Sequence, residues 1–160
     1  MAVGVKPSLA TFQSLMKMYQ REANAAAITK VIERIRQSGL APDIATFHLL
    51  LESLGRQRLL KHMKYWFTKM ERDFQVHPEQ STFEIIFLAL KNHGQIDEML
   101  GCVEELKKRN LKMTSSMYDS IISAYRSRLN MGEMSNWFHL KRQSKVTPSQ
   151  VSVRQLNSLN

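Results

Sequence analysis

Four basic side chains recur along this chain at nearly constant spacing: Arg21, Arg56, Lys91 and Arg126. A cation repeated at a fixed interval is suited to tracking a run of phosphates rather than to covalent chemistry. The alternative at each position is a solvated side chain whose charge favours the C-terminal end of a helix dipole. The overall balance supports the first reading. Lys and Arg number 23 against 14 Asp and Glu, a net +9, and the pI is near 9.9. Such an excess suits a polyanionic partner, nucleic acid before an anionic membrane surface. A denser run, Arg56-Gln57-Arg58-Leu59-Leu60-Lys61-His62-Met63-Lys64, is either a phosphate patch or a solvated loop and outer helix face. Lys107-Lys108-Arg109 and Lys141-Arg142 close helices and are expected on the outer, non-reading side.

Other chemistry is sparse. The histidines (His48, His62, His77, His93, His139) have no metal-ligand spacing and no His-Glu-x-x-His pattern. There is no Gly-x-x-x-x-Gly-Lys loop, no Gly-x-Ser-x-Gly turn and no carboxylate pair at a plausible cleft. No catalytic residue, metal or other cofactor is therefore expected, and no stand-alone enzyme. Cys102 lies on an apolar helical stripe and reads as a buried reduced thiol rather than a nucleophile; a single cysteine permits no internal disulfide, which suits an intracellular compartment. No apolar run approaches the roughly 20 residues that span a bilayer, so no membrane insertion is expected. Met1 to Lys6 has neither an apolar secretory core nor an Arg/Ser-rich stretch, and any targeting peptide is expected to lie outside this chain.

The elements that must position the basic residues are written in a repeat of about 35 residues. Pro7, Pro42, Pro78 and Pro148 punctuate it, with Met113 where one proline is missing. Four residues later come Thr11, Thr46, Thr82, Met117 and Ser152, and then, in each complete unit, an aromatic: Phe12, Phe47, Phe83, Tyr118. Each unit reads as two helices. The first carries apolar residues at i, i+3, i+4 and i+7, as in Phe47, Leu50, Leu51, Leu54 and Tyr118, Ile121, Ile122, Tyr125. The second repeats the stripe with Ile28, Val31, Ile32, Ile35; Met63, Trp66, Phe67, Met70; Met99, Cys102, Val103, Leu106; and Met134, Trp137, Phe138. The two tryptophans and their phenylalanine neighbours sit on this stripe and read as core rather than as base-stacking platforms. The Thr or Ser ahead of each aromatic is expected to start a helix, the prolines fit the connectors, and Gly39 reads as a helix stop. No segment alternates like a half-buried strand, so the fold class is all-α. Neighbouring units must bury each other's apolar faces. A fifth unit begins, but two of its stripe positions, Val153, Leu156, Asn157 and Asn160, are polar; it reads as a cap or as the start of further repeats.

The phrases Pro7-Ser8-Leu9-Ala10-Thr11-Phe12, Pro42-Asp43-Ile44-Ala45-Thr46-Phe47 and Pro78-Glu79-Gln80-Ser81-Thr82-Phe83 resemble the pentatricopeptide repeat, as does Ile35-Arg36-Gln37-Ser38-Gly39-Leu40-Ala41-Pro42-Asp43. The Trp-x-x-Leu-Gly-x-x-Tyr phrase of the tetratricopeptide class is absent. The resemblance covers one repeat domain over 1–160, with repeats at about 9–43, 44–79, 80–114 and 115–149 and a partial or capping unit at 150–160. In length it is similar to short members of the pure, plant-type class. It implies a right-handed α-solenoid that binds single-stranded RNA in a mitochondrion or chloroplast, for intron splicing or for RNA processing or stabilisation. In the family each repeat reads a base with the residue after the aromatic and the last residue of the repeat. On this chain the resemblance therefore assigns Gln13 with Asp43, His48 with Glu79, Glu84 with Thr114 and Asp119 with Ser149, and Arg154 opens the unfinished unit. Arg21, Arg56, Lys91 and Arg126 stand near the family's phosphate-contacting lysine. The usual Asn, Thr or Ser is absent from the first reading position, and the wedge positions hold the small residues Ala10, Ala45, Ser81 and Ser116. Low sequence specificity is the expectation, with Glu84 and Asp119 placing negative charge where nucleic acid would lie. Self-association on RNA would lengthen the surface. The competing expectation is a scaffold that binds other proteins of an organellar ribonucleoprotein such as a mitochondrial ribosome.

Overall fold

The computed structural model of the chain describes residues 7–144. The expected fifth unit at 150–160 lies outside them. They form eight helices, with no strand among the described residues: α1 (Leu9–Arg21), α2 (Ala25–Gln37), α3 (Ile44–Arg56), α4 (Leu60–Arg72), α5 (Gln80–Asn92), α6 (Ile96–Lys108), α7 (Ser115–Ser127) and α8 (Met131–Gln143). Every helix has 13 residues. The chain divides into two compact units between Pro78 and Glu79.

The odd-numbered helices begin one turn earlier than the Thr ahead of each aromatic, which corrects that expectation. Ser8, Asp43 and Thr114 are the N-caps of α1, α3 and α7, and their side chains accept from the amides of Thr11 (3.3 Å), Thr46 (2.8 Å) and Met117 (3.4 Å). At α5, Glu79 and Thr82 close a reciprocal capping box, the Glu79 amide donating to the Thr82 hydroxyl at 3.2 Å. The recurrent Thr is thus the third helical residue and the aromatic the fourth. A proline just before the cap and an apolar residue at the fourth position make the staple that fixes how the chain enters a helix. Where the proline is missing, Met113 packs into the cluster of Tyr118, Ile122, Met134 and Phe138 and supplies the same contact.

The helices from α1 to α7 end through a similar device. A residue with positive φ directly follows the C-cap at Ala23, Gly39, Arg58, Gly94, Asn110 and Leu129, and at α4 Gln75 comes two residues after the Asp73 cap. The next amide usually closes the turn onto a carbonyl five residues back, as in Asn24 to Tyr19 (2.9 Å), Leu40 to Ile35 (3.1 Å), Leu59 to Leu54 (2.9 Å) and Asn130 to Tyr125 (3.1 Å). Gly39 is a helix stop, as expected.

In the first unit α1 packs on α2, α3 packs on α1 and α2, and α4 closes on α3. Phe47 is 0% exposed at its centre, edge-on to Phe74 at 5.2 Å and 6.5 Å from Trp66. In the second unit α5 and α7 pack together, α6 lies against both and α8 against α7. There Tyr118 stands 6.2 Å from Trp137, over the cluster that Met113, Tyr125 and Trp137 border. Trp66 is buried and Trp137 half-buried, so both belong to the core. Cys102 is half-buried rather than fully enclosed.

Leu129 occupies the left-handed region at φ 56° with its side chain 84% exposed, so it stores strain without compensating burial. Leu129→Gly is expected to stabilise the chain by about 0.5–1 kcal/mol, the relief exceeding the entropy cost of glycine. Leu129→Val, β-branched at positive φ, should destabilise it. Thermal melts of the two variants beside the wild type check both signs.

Candidate nucleic-acid interface

The regular helix length places the expected base-facing residues at one register. Gln13, His48, Glu84 and Asp119 are each the fifth residue of α1, α3, α5 and α7. All four are half-buried, on pairs of helices that pack together within each unit: α1 with α3, α5 with α7. Their expected partners hold a different post. Asp43, Glu79 and Thr114 are the N-caps of the following odd helix, so each is already committed to a helix start. Ser149 lies outside the described residues.

Gln13 and Asp43 are brought together. The Gln13 amide nitrogen donates to both Asp43 carboxylate oxygens, at 2.9 and 3.1 Å, and to the Thr46 hydroxyl at 3.2 Å. Thr46 in turn donates its hydroxyl to Asp43 Oδ1 at 2.6 Å and its amide at 2.8 Å. Burial pushes the Asp43 carboxyl upward, but the bonds from Thr46 and Gln13 outweigh it and hold the group below the ordinary carboxylate range. His48 lies in the first unit and Glu79 in the second. Glu79 also accepts from the Ser81 hydroxyl at 2.6 Å. In the second unit the Thr114 hydroxyl is engaged with the Met117 amide, while Glu84 stands at mid-helix on α5.

Asp119 overturns two expectations at once. Its Oδ1 accepts from Lys141 Nζ of α8 at 2.7 Å, with the lysine side chain 4% and the aspartate 13% exposed. The Ser115 hydroxyl reaches Oδ2 at 3.5 Å. The negative charge expected to repel nucleic acid is therefore neutralised inside the second unit. Lys141, expected on the outer, non-reading side, is its buried counter-ion. Sequence reasoning missed this pair, although a signal was present: Lys141 continues the apolar spacing of Met134, Trp137 and Phe138 at i+7. A charged residue at a stripe position needs a partner in the core.

The recurrent cations occupy the last turns of the odd helices: Arg21 and Arg56 end α1 and α3, and Lys91 and Arg126 are one residue short of the ends of α5 and α7. Arg21, Arg56 and Arg126 are exposed and Lys91 half-buried. Arg56 approaches Glu52 at 3.9 Å with 71% of its side chain in solvent, a contact too weak to commit it. Glu52 receives a second bond from Gln20 Nε2 at 3.0 Å, tying α3 to α1.

A pentatricopeptide repeat domain model matches residues 1–57. The chain is 22% identical over 105 residues to a putative mitochondrial pentatricopeptide repeat-containing protein of Arabidopsis thaliana, covering 66% of this chain and 18% of the relative. It is 27% identical over 152 residues to a mitochondrial 15S rRNA processing factor of Yarrowia lipolytica, covering 89% and 19%. The crystal structure of the maize pentatricopeptide repeat protein PPR10 in complex with an 18-nt psaJ RNA element superposes with a TM-score of 0.80 at 20% identity, over 95% of this chain and 22% of that one. Over its first 57 residues the chain is similar to the pentatricopeptide repeat family, and it shares the fold of these proteins. The repeat domain of Arabidopsis thaliana protein-only RNase P 1, solved in complex with tRNA, matches with a TM-score of 0.70 at 14% identity over 93% and 82%. These likenesses establish the fold class expected from the repeat, an all-α solenoid of helix-turn-helix units. The chain spans a fifth or less of the length of the curated pentatricopeptide proteins it matches. No helix among the described residues is long and apolar enough to cross a membrane.

Two outcomes follow from the site's polar bonds. Asp119→Asn strands the buried Lys141 ammonium and should cost about 3–5 kcal/mol, whereas Asp119→Leu with Lys141→Met should recover most of that loss. Urea denaturation midpoints of the single and double variants test the coupling. For Asp43 the folded-state carboxyl lies below its unfolded value, so its stabilisation is full above the unfolded value and is lost as pH falls through the folded one. Asp43→Asn retains a cap but removes this titration. Its acid destabilisation below about pH 4 should be shallower than that of the wild type, as read from melts across that range.

Proposed function

We propose that this chain binds single-stranded RNA with low sequence specificity and serves RNA processing in a mitochondrion or chloroplast. The observation that carries the proposal is the shared register: a polar side chain at the fifth position of every odd helix and a cation in its last turn. Gln13, His48 and Glu84 would meet bases, and Arg21, Arg56, Lys91 and Arg126 would meet phosphates. The names of the matched proteins support it, since they include an rRNA processing factor and proteins crystallised on RNA. Low specificity follows from the second reading positions. Asp43, Glu79 and Thr114 are spent on capping helices, and the Gln13 amide nitrogen is spent on Asp43. The chain would act as a binding module and not as an enzyme, in splicing, maturation or stabilisation of its RNA.

One observation favours a protein partner as a second reading. Met18 on α1 and Leu88 on α5 are large apolar side chains left exposed on odd helices. Such residues would suit contact with other proteins of an organellar ribonucleoprotein, a mitochondrial ribosome included.

Fluorescence anisotropy against pooled single-stranded RNA, matching DNA and duplex RNA at two salt concentrations separates these readings. Salt-sensitive binding that prefers single-stranded RNA is the expected result. Arg21→Gln and Arg126→Gln should each weaken it across unrelated sequences and lower the salt slope by about one. Absence of binding at low salt, where attraction between charges is strongest, would replace the RNA reading with the scaffold.

A further inference from the structure

Among the even helices, α4 presents an unusual outward face. Its apolar stripe, Met63, Trp66 and Met70, is buried in the first unit. Lys61, Lys64, Tyr65, Thr68, Lys69 and Arg72 recur at i, i+3, i+4, i+7, i+8 and i+11, so they share one side of the helix, where they line a shallow depression. At a rise of 1.5 Å per residue the row from Lys61 to Arg72 runs about 16 Å. Tyr65 is 52% exposed and held in place. It meets Trp66 edge-on at 5.8 Å, and Lys69 Nζ stands 5.4 Å from its ring centroid, 5.0 Å from that of Trp66 and 3.2 Å from the Tyr65 hydroxyl. Near the end of the row, Glu71 contacts His77 at 3.3 Å and Asp73 accepts from Arg72 at 2.7 Å, with Lys69 also in the electrostatic reach of Asp73.

We infer that this face of α4 is a second RNA-contact surface, separate from the odd-helix residues. Its lysines take the backbone of a single strand, and a base stacks on the open side of Tyr65. Cations in a row beside an exposed, fixed aromatic ring are the two components of sequence-tolerant single-strand binding. A membrane fits less well, because the apolar stripe of α4 is buried in the core and only Tyr65 is left to enter lipid. An acidic peptide would use the charges and leave the ring without a partner. The inference rests on the RNA-binding proposal above, since a chain that binds no RNA has no use for the surface.

The test uses the full chain and a short fluorescein-labelled oligouridine. Lys61→Gln with Lys64→Gln should weaken binding about fivefold and lower the salt slope by about two. Tyr65→Ala should weaken it at least about fivefold while Tyr65→Phe keeps wild-type affinity. Ultraviolet cross-linking should recover the strand on a peptide containing Tyr65, and far-ultraviolet circular dichroism should show each variant folded. Wild-type affinity in the α4 variants, with loss only in Arg21→Gln and Arg126→Gln, overturns the inference and leaves the RNA-binding proposal standing. No binding by the wild type removes both. Equal loss in Tyr65→Phe and Tyr65→Ala removes the stacked base. Equally tight, equally variant-sensitive binding to phosphatidylserine vesicles shows a generic anionic surface and also overturns it.

Discussion

Thirteen-residue helices do not stand alone in water, because nucleation is costly and so few turns repay little of it. Every helix here survives by burying a stripe against its neighbours. The fourth residue of each odd helix, Phe12, Phe47, Phe83 or Tyr118, is where that dependence concentrates. The cap and the residue before it fix the angle at which the chain enters the helix, and so where the aromatic lands. Ser8, Asp43, Glu79 and Thr114 are therefore structural before they are anything else. The connector at 73–79 is one residue longer than those at 38–43 and 109–114, and it delivers Phe74 onto Phe47 and Trp66. The repeat length is thus a packing length, adjusted where an extra aromatic is accommodated.

The same economy limits recognition. A side chain that closes a helix end offers a base only what the cap leaves over. At Asp43 little is left, since Thr46 and Gln13 together supply four hydrogen bonds to its carboxylate. Glu79, tied to Thr82 and Ser81, is similarly placed. The cations in the last turns carry no such duty, and phosphate contact gives affinity without sequence information. On the RNA-binding proposal, side chains spent on caps and cations in the last turns would hold a strand more readily than they would select it.

Much of the fold was legible because helical periodicity records burial directly. Met16, Ile32, Leu51, Phe87, Met99 and Ile122 sit in the core as their spacing requires. The helix starts were misread by one turn. Thr resembles a cap, and only geometry shows that the preceding Ser8, Asp43 or Thr114 does the capping while Thr11 and Thr46 are third residues. Lys141 differs from its expected outer position because tertiary contact with Asp119, not its place at a helix end, decides its burial. Tyr65 was overlooked beside Trp66. The two neighbours lie about 100° apart around α4, one ring exposed and the other buried, and a run of letters does not show which faces solvent until the helix is phased.

Charge placement then joins the two units' roles. Residues 1–78 carry 12 Lys and Arg against 6 Asp and Glu, and residues 79–160 carry 11 against 8, so +6 of the net +9 belongs to the first unit. In the second unit one of the positive charges, Lys141, is cancelled internally by Asp119 and contributes little to the outside field. The positive field of the chain is weighted toward the first unit, and there toward α4, whose sequence holds Lys61, Lys64, Lys69 and Arg72 against Glu71, with Arg72 paired to the adjoining Asp73. A polyanion approaching by diffusion is drawn first to the strongest field, with a rate that falls as salt rises. If the RNA-binding proposal holds, encounter through α4 followed by transfer to the odd helices would separate capture from contact at the fifth helical positions.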